Sequence, residues 1–239
     1  MINFSIVIPC YNESTNILVV LKKYKNFLKD NNNELIIINN GSTDNTDFLL
    51  RKYNKVKNLV TLKIKKNIGY GYGLSQGIKY SKGKNIICAH ADEEISINQI
   101  IKSINTAKKY TKKNKKFFIK GTRIDKFKNH WSISDLLFSY GLSVFASIIF
   151  LRKFKDIHGY PVIFPRSLIN DTKYFPRGFA IDLLFYLLAK KKNYEIKRID
   201  VIFKKNVRTH GKGSSNTFSK KIKGSFNQIF ESFKILWLN

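Results

Sequence analysis

The chain has 239 residues, 43% of them hydrophobic and 14% aromatic, which allows a packed core and excludes wholesale disorder. Its 44 Lys and Arg against 16 Asp and Glu give a formal charge of +28, a field that favours polyanions: nucleic acid, an anionic membrane face or phosphorylated substrates. The lysines are spread along the chain, so a merely solvated basic surface is an equal reading. Cys10 and Cys88 lie in or beside apolar runs and make no disulfide framework, which fits a reducing cytoplasm. The opening "MINFSIVIPCYNE" has no basic n-region and no cleavage site, so no signal peptide is expected.

In chain order, "FSIVIPC" predicts a short β-branched strand, and "ESTNILVVLKKYKNFLKD" a helix behind a Ser14/Thr15 cap. "ELIIINN" predicts a second buried strand, closed by the turn and helix cap "GSTDNT", with "TDFLLRKY" continuing as helix. "NLVTLKIKK" follows as strand, "GLSQGIKYS" as helix and "NIICAHAD" as a fourth strand. Helices recurring between strands imply right-handed crossovers and an α/β fold with a mostly parallel, doubly wound sheet. Ligands on such sheets bind beyond the carboxyl ends of the strands. Every strand here ends in polar residues ("PCYNE", "NNGSTD", "KKNIGYG", "HADEE"), so four tips are expected to line one crevice.

From about residue 115 the pattern is less regular. "KKFFIKGTR" reads as strand, 132–151 as helix, "HGYPVIFPRSL" as strand or turn, and "IDLLFYLLAKKKN" as an amphipathic helix. "YEIKRIDVIFKK" is an alternating strand, "NVRTHGKGSSN" a glycine-rich basic loop, and "FSKKIKGSFNQIFESFKILWLN" a helix. With no repeat and no linker, 1–239 reads as one domain built from two halves (1–114 and 115–216) and an amphipathic helix (217–239). No apolar run reaches the about 20 residues of a membrane span. "LLFSYGLSVFASIIFL" (136–151) is either buried or laid on a bilayer surface, and Phe226, Phe230, Phe233 and Trp237 fall at the spacing of an interface helix. Core packing is the alternative for both.

At the fourth strand end, His90, Asp92 and Glu94 alternate, so in an extended chain they share one face. Carboxylates with an imidazole suit a hard or borderline divalent ion; the alternative is that the acids start the helix "DEEISINQIIKSI". Gly69, Gly71, Gly73 and Gly77 cluster after a strand but miss the G-x-G-x-x-G spacing, which weakens a nicotinamide reading.

The ordered set "FSIVIPCYNE", "LIIINNGSTDNT", "KNIGYGYGLSQGIKYSKGKNIICAHAD", "GTR", "DIHGYPVIFPRSLI", "GFAIDLLFYLLAKKKNYEIKRIDVIFKK" and "RTHGKGSS" resembles the family 2 glycosyltransferases with the GT-A fold. It is most similar to their dolichol-phosphate mannose synthase-like branch, which transfers sugar to a lipid phosphate, and the likeness runs from residue 4 to about 216. The resemblance implies an inverting, metal-dependent hexosyltransferase, with Mg²⁺ or Mn²⁺, that moves a sugar from a UDP- or GDP-linked donor to an acceptor. That acceptor is a polyprenyl phosphate or, alternatively, a glycan hydroxyl. By position, His90 stands at the first Asp of the family's Asp-x-Asp, Asp92 is the second and catalytic one, and Glu94 falls on a further ligand position. A neutral imidazole there implies weaker, more pH-dependent metal binding, shifted toward Mn²⁺.

The same resemblance assigns Pro9, Tyr11 and Glu13 to base and ribose, Asn39 to a base edge and Gly71 to the nucleotide's neighbourhood, with Asp44 capping a helix. His90, Asp92 and Arg208 face the donor. Asp182 is a catalytic or acceptor-binding acid, or else a helix-start charge, and Arg123, Ser139, Arg208 and Ser214 hold the acceptor phosphate. His210 reads as incidental. Asp135 departs from the pattern, standing where the branch has Arg or Lys a turn before Ser139. The expected setting is the cytoplasmic face of a membrane, with peripheral contact to anionic lipid and no specific nucleic acid. A nucleotidyltransferase lacks its glycine-rich basic signature in "VIPCYNEST". A basic nucleic-acid-binding protein would bind with steep salt dependence. A degenerate member, given His90, Asn39 and Asn40, would bind nucleotide without turnover.

Overall fold

The structure, a computed structural model, describes residues 1–92, 94–126, 132–203 and 218–238. Seven strands form one sheet: β1 (Phe4–Cys10), β2 (Asn33–Asn40), β3 (Leu59–Ile64), β4 (Asn85–Cys88), β5 (Phe117–Ile124), β6 (Val162–Pro165) and β7 (Glu195–Ile202). Their order is β3-β2-β1-β4-β6-β5-β7. Helices α1 (Ile17–Leu28), α2 (Thr46–Arg51) and α3 (Tyr70–Tyr80) return the chain between β1 and β4, so those four strands run parallel.

Both faces of the sheet are covered, and β1 and β2 are accordingly buried along their whole length. Val7, Ile36, Ile38, Ile86 and Cys88 join Leu74 and Ile78 of α3 on one face. Ile6, Ile8, Leu35, Ile37 and Ile87 join α1 and α4 (Ile97–Lys112) on the other. Gly77 lets α3 lie close on the sheet, since a Cβ there would strike the side chains of Ile38 and Val7. Cys10 and Cys88 are free and buried.

The segment expected as strand or turn at "HGYPVIFPRSL" is β6, and it runs antiparallel to both neighbours. Val162 lies opposite Cys88 of β4 and Lys120 of β5, so the chain entering β6 arrives at the edge where β4 and β5 leave. That reversal brings Asp156, His158 and Tyr160 to the crevice edge.

Two expectations need correction. Strand β4 stops at Cys88, so His90, Asp92 and Glu94 are not extended and their alternation does not put them on one face. Nor do the acids cap the next helix: α4 begins at Ile97 behind Ser96. In the second half, α5 (Ile133–Ile149), α6 (Ala180–Lys191) and α7 (Phe218–Leu238) pack on the α3 face through Ala146, Leu184 and Ile235. Among the described residues no helix is long and apolar enough to cross a membrane.

Candidate active site

The tips of β1 and β2 are laced into one rim. Asn12, at φ 55°, receives a bond from the Thr43 amide (2.8 Å) and donates its own amide to Ser42 (3.0 Å). Asp44 accepts from the Thr46 and Ser14 amides at 3.0 and 3.1 Å. Burial raises its pKa, but these bonds with the Thr46 hydroxyl outweigh that and hold the carboxyl below its usual value. Asp44 thus ties the two loops, while the N-cap position of α2 is Asn45, which makes no side-chain cap bond. Tyr11 is exposed and Pro9 buried behind it, while Glu13 accepts from Asn16 at 2.7 Å.

Asn39 is committed inside the protein, donating to Asp47 (3.0 Å) and accepting from the Ser42 amide (3.0 Å). Its neighbour Asn40 donates to Gly69 O (3.1 Å), and its buried Oδ1 has no hydrogen-bond partner. Neither carboxamide is therefore open to a ligand: that of Asn39 is satisfied within the protein and that of Asn40 is enclosed, packed against Gly73. The space beside Gly71 is filled by the carbonyls of Pro176 and Gly178, and the Tyr72 amide bonds Arg177 O at 3.0 Å, so that glycine admits the 176–178 loop.

Beyond β4, Asp92 is buried (4% exposed) and its Oδ1 accepts the Glu94 amide at 3.3 Å. The His90 ring stacks on Tyr70 (centroids 5.2 Å apart) and meets Tyr160 edge-on at 4.2 Å. Phe179 stacks on the other ring neighbour, Tyr70, at 4.9 Å. Among the described residues no three His, Cys, Asp or Glu side chains gather as a metal-ligand group, so His90, Asp92 and Glu94 do not close as a triad. Asp92 fits a different arrangement: a single hard carboxylate at the crevice edge suits Mg²⁺ or Mn²⁺ whose other ligands are substrate oxygens.

Asp182, at the start of α6, is 1% exposed with both oxygens engaged. Tyr160 donates its hydroxyl to Oδ1, and His158 Nδ1 lies 2.7 Å from Oδ2. The Tyr70 and Tyr160 hydroxyls are 2.6 Å apart; since the Tyr160 proton goes to Asp182, Tyr70 donates to Tyr160. Burial, with Asp182 beside them, pushes both phenols well above the usual tyrosine value.

Of the residues expected at an acceptor phosphate, Arg123 and Ser139 come together at 3.1 Å. The guanidinium is not presented for a ligand alone, because its Nε bonds the buried Asp156 at 2.7 Å and its Nη2 also bonds that carboxylate. Burial raises the Asp156 pKa, but the Arg123 charge and its hydrogen bonds prevail and bring it down to about 2. Lys126 lies 3.8 Å from the same carboxylate, leaving the trio one positive charge in excess. Asp135 completes the capping box of α5, accepting from the Ser132 hydroxyl at 2.6 Å. Arg208, His210 and Ser214 lie outside the described residues.

Sequence reasoning missed Tyr70, Lys120, Asp156, His158, Tyr160, Phe179 and Gln228. The signal in "DIHGY" was an acid, an imidazole and a phenol within five positions; those in "NIGYG" and "QIF" were too slight.

Residues 5–171 match the family described as Glycosyl transferase family 2. The chain belongs to that family. A dolichyl-phosphate beta-glucosyltransferase of Saccharomyces cerevisiae is 28% identical over 220 residues, covering 82% of this chain and 65% of its own length. One from Trichomonas vaginalis is 24% identical over 211 residues, covering 82% and 64%. The chain therefore spans about two thirds of the curated relatives it matches. Among solved structures, glucosyl-3-phosphoglycerate synthase from Mycobacterium tuberculosis, in complex with Mn²⁺, UDP-glucose and glycerol 3-phosphate, aligns at TM-score 0.68 and 14% identity. That alignment covers 99% of this chain and 81% of the other, and the shared fold is GT-A.

Proposed function

We propose that this chain transfers a hexose from a UDP- or GDP-linked donor to the phosphate of a polyprenyl phosphate, with inversion at the anomeric carbon. A phosphate oxygen attacks that carbon, the bond to the donor's diphosphate breaks on the opposite side, and the nucleoside diphosphate leaves. The observation that carries the reading is the state of Asp182. Both of its oxygens are bound within the protein, so it is poorly placed to take a proton from a hydroxyl. A phosphate monoester, with a second pKa near about 6, is already ionised and needs cations rather than a base.

The residues fall into roles accordingly. Tyr11 and Glu13 receive the nucleoside at the β1–β2 rim. Asp92 would hold Mg²⁺ or Mn²⁺, which when bound supplies neutralisation of the departing diphosphate. The stacked His90, Tyr70 and Phe179 rings form the wall beside that carboxylate. The net positive cluster of Arg123, Lys126 and Asp156 with Ser139 receives the acceptor phosphate.

The acceptor's lipid tail needs an apolar surface, and α5 and α7 offer one. Ile133, Leu137 and Ile148 of α5 and Phe226, Phe230 and Trp237 of α7 are 62–83% exposed. The two helices meet through Phe145 and Phe233, 6.3 Å apart. Apolar faces of this kind on a chain of charge +28 suit peripheral contact with an anionic bilayer.

The test is a screen of nucleotide sugars for released diphosphate, with polyprenyl phosphates and simple sugars as acceptors. Release with the lipid phosphate, lost in Asp92→Asn without a change in melting temperature, is the expected result. Release with sugars alone, or equal turnover in Asp92→Asn, would overturn it.

A further inference from the structure

The proposed reaction leaves unexplained why a helix with an exposed apolar face sends a polar side chain into the wall of the crevice. Gln228 of α7 places Oε1 3.0 Å from His158 Nε2, while the other ring nitrogen lies 2.7 Å from Asp182. A carboxylate accepts only, so Nδ1 carries a proton toward Asp182. Nε2 then either donates to the Gln228 carbonyl or accepts from its amide turned over; in both cases the imidazole is held at both nitrogens.

The backbone that carries this ring is pinned as well. Lys120 is fully buried, and its ammonium donates to the carbonyls of Ile157 (2.6 Å) and Gly159 (3.0 Å), the residues on either side of His158. Burial pulls its pKa down to about 8, against the opposing pull of Asp182 and Asp156. A buried cation spent on two carbonyls is costly unless the turn it fixes matters. The turn leads directly to Tyr160, and the bonds continue from Asp182 through Tyr160 to Tyr70, whose ring stacks on His90 two residues before Asp92.

We infer that His158, clamped by Lys120 and Gln228, is a positioning residue that fixes Asp182 and the Tyr160–Tyr70 wall, so that α7 sets the geometry at the β4 tip. This rests on the transfer reaction proposed above. Misplacing a reacting centre by about 1 Å costs on the order of 100-fold in rate, so the device acts on turnover more than on binding.

The test compares the whole chain with Gln228→Leu, which removes the polar partner in either orientation. Gln228→Leu is expected to lower kcat by at least about 10-fold with the donor KM within about 2-fold. Full kcat in Gln228→Leu, or a loss carried by the donor KM with kcat unchanged, overturns the inference. A second measurement needs no turnover: the ¹⁵N signals of the His158 ring. They are expected to move in Gln228→Leu and in Asp182→Asn; signals unmoved in both overturn the inference. An inactive wild-type chain whose ring signals respond would reject the transfer reaction and leave the clamp standing.

Discussion

The β1–β2 rim and the wall around β6 use the same side chains for opposite ends. At the rim, Asp44 gathers the amides of Ser14 and Thr46 in a partly exposed loop. In the wall, Asp156 gathers the Arg123 amide and guanidinium while 6% exposed, and Asp182 gathers a phenol and an imidazole at 1%. Water can replace a lost partner at the rim but not in the wall. The rim should therefore tolerate the loss of a contact that the wall cannot.

Breaking equivalent carboxylates on the two sides sharpens that contrast. Asp156→Asn leaves the Arg123 charge buried and is expected to cost about 3–5 kcal/mol in urea unfolding. A cost below about 1 kcal/mol would show that the wall relaxes as freely as the rim. The next effect is on acid stability. The folded Asp156 pKa, about 2, lies below the ordinary 3.8, so its stabilisation is complete above the unfolded value and drains away as pH falls toward 2. About 2 kcal/mol should be lost across that window, and Asp156→Asn should flatten the loss.

The outer helices give a third comparison, since their apolar side chains face away from both regions. Replacing Phe230 and Trp237 by Ser should weaken binding to anionic vesicles by at least about 10-fold and leave unfolding unchanged, because neither ring is buried. At the rim itself, Asp44→Ala, which removes the acceptor for the Ser14 and Thr46 amides, should cost about 1 kcal/mol. Smallest of all, Lys63→Ala removes an exposed pair with Asp47 at 2.8 Å and should shift stability by no more than about 0.5 kcal/mol.

The rim was legible in the sequence because its order is local. Each apolar run of β1, β2 and β4 is followed by its own polar tip, and the α1 stripe of Ile17, Val20, Leu21, Tyr24 and Phe27 has plain helical spacing. The wall is built from contacts between distant segments: His158 with Gln228, Tyr70 with Tyr160 and Lys120 with the 157–159 turn. No periodicity announces such pairs, nor the antiparallel entry of β6 that creates them. One local clue was available. Lys120 shares parity with Phe118 in "FFIKG", which puts a cation on a core-facing position and asks what it holds. The His90–Asp92–Glu94 expectation failed for the complementary reason, since alternation carries meaning only while the strand lasts, and β4 ends at Cys88.

The central claim is that Asp92 joins a divalent cation to a nucleotide diphosphate at the sheet edge. Calorimetric titration of the chain with UDP and with GDP, each with and without Mn²⁺, tests it most directly. One nucleotide should bind at least about 10-fold more tightly with Mn²⁺, and Asp92→Asn should erase that gain while keeping the metal-free affinity. Binding that ignores the metal, or a gain that survives in Asp92→Asn, would contradict the account.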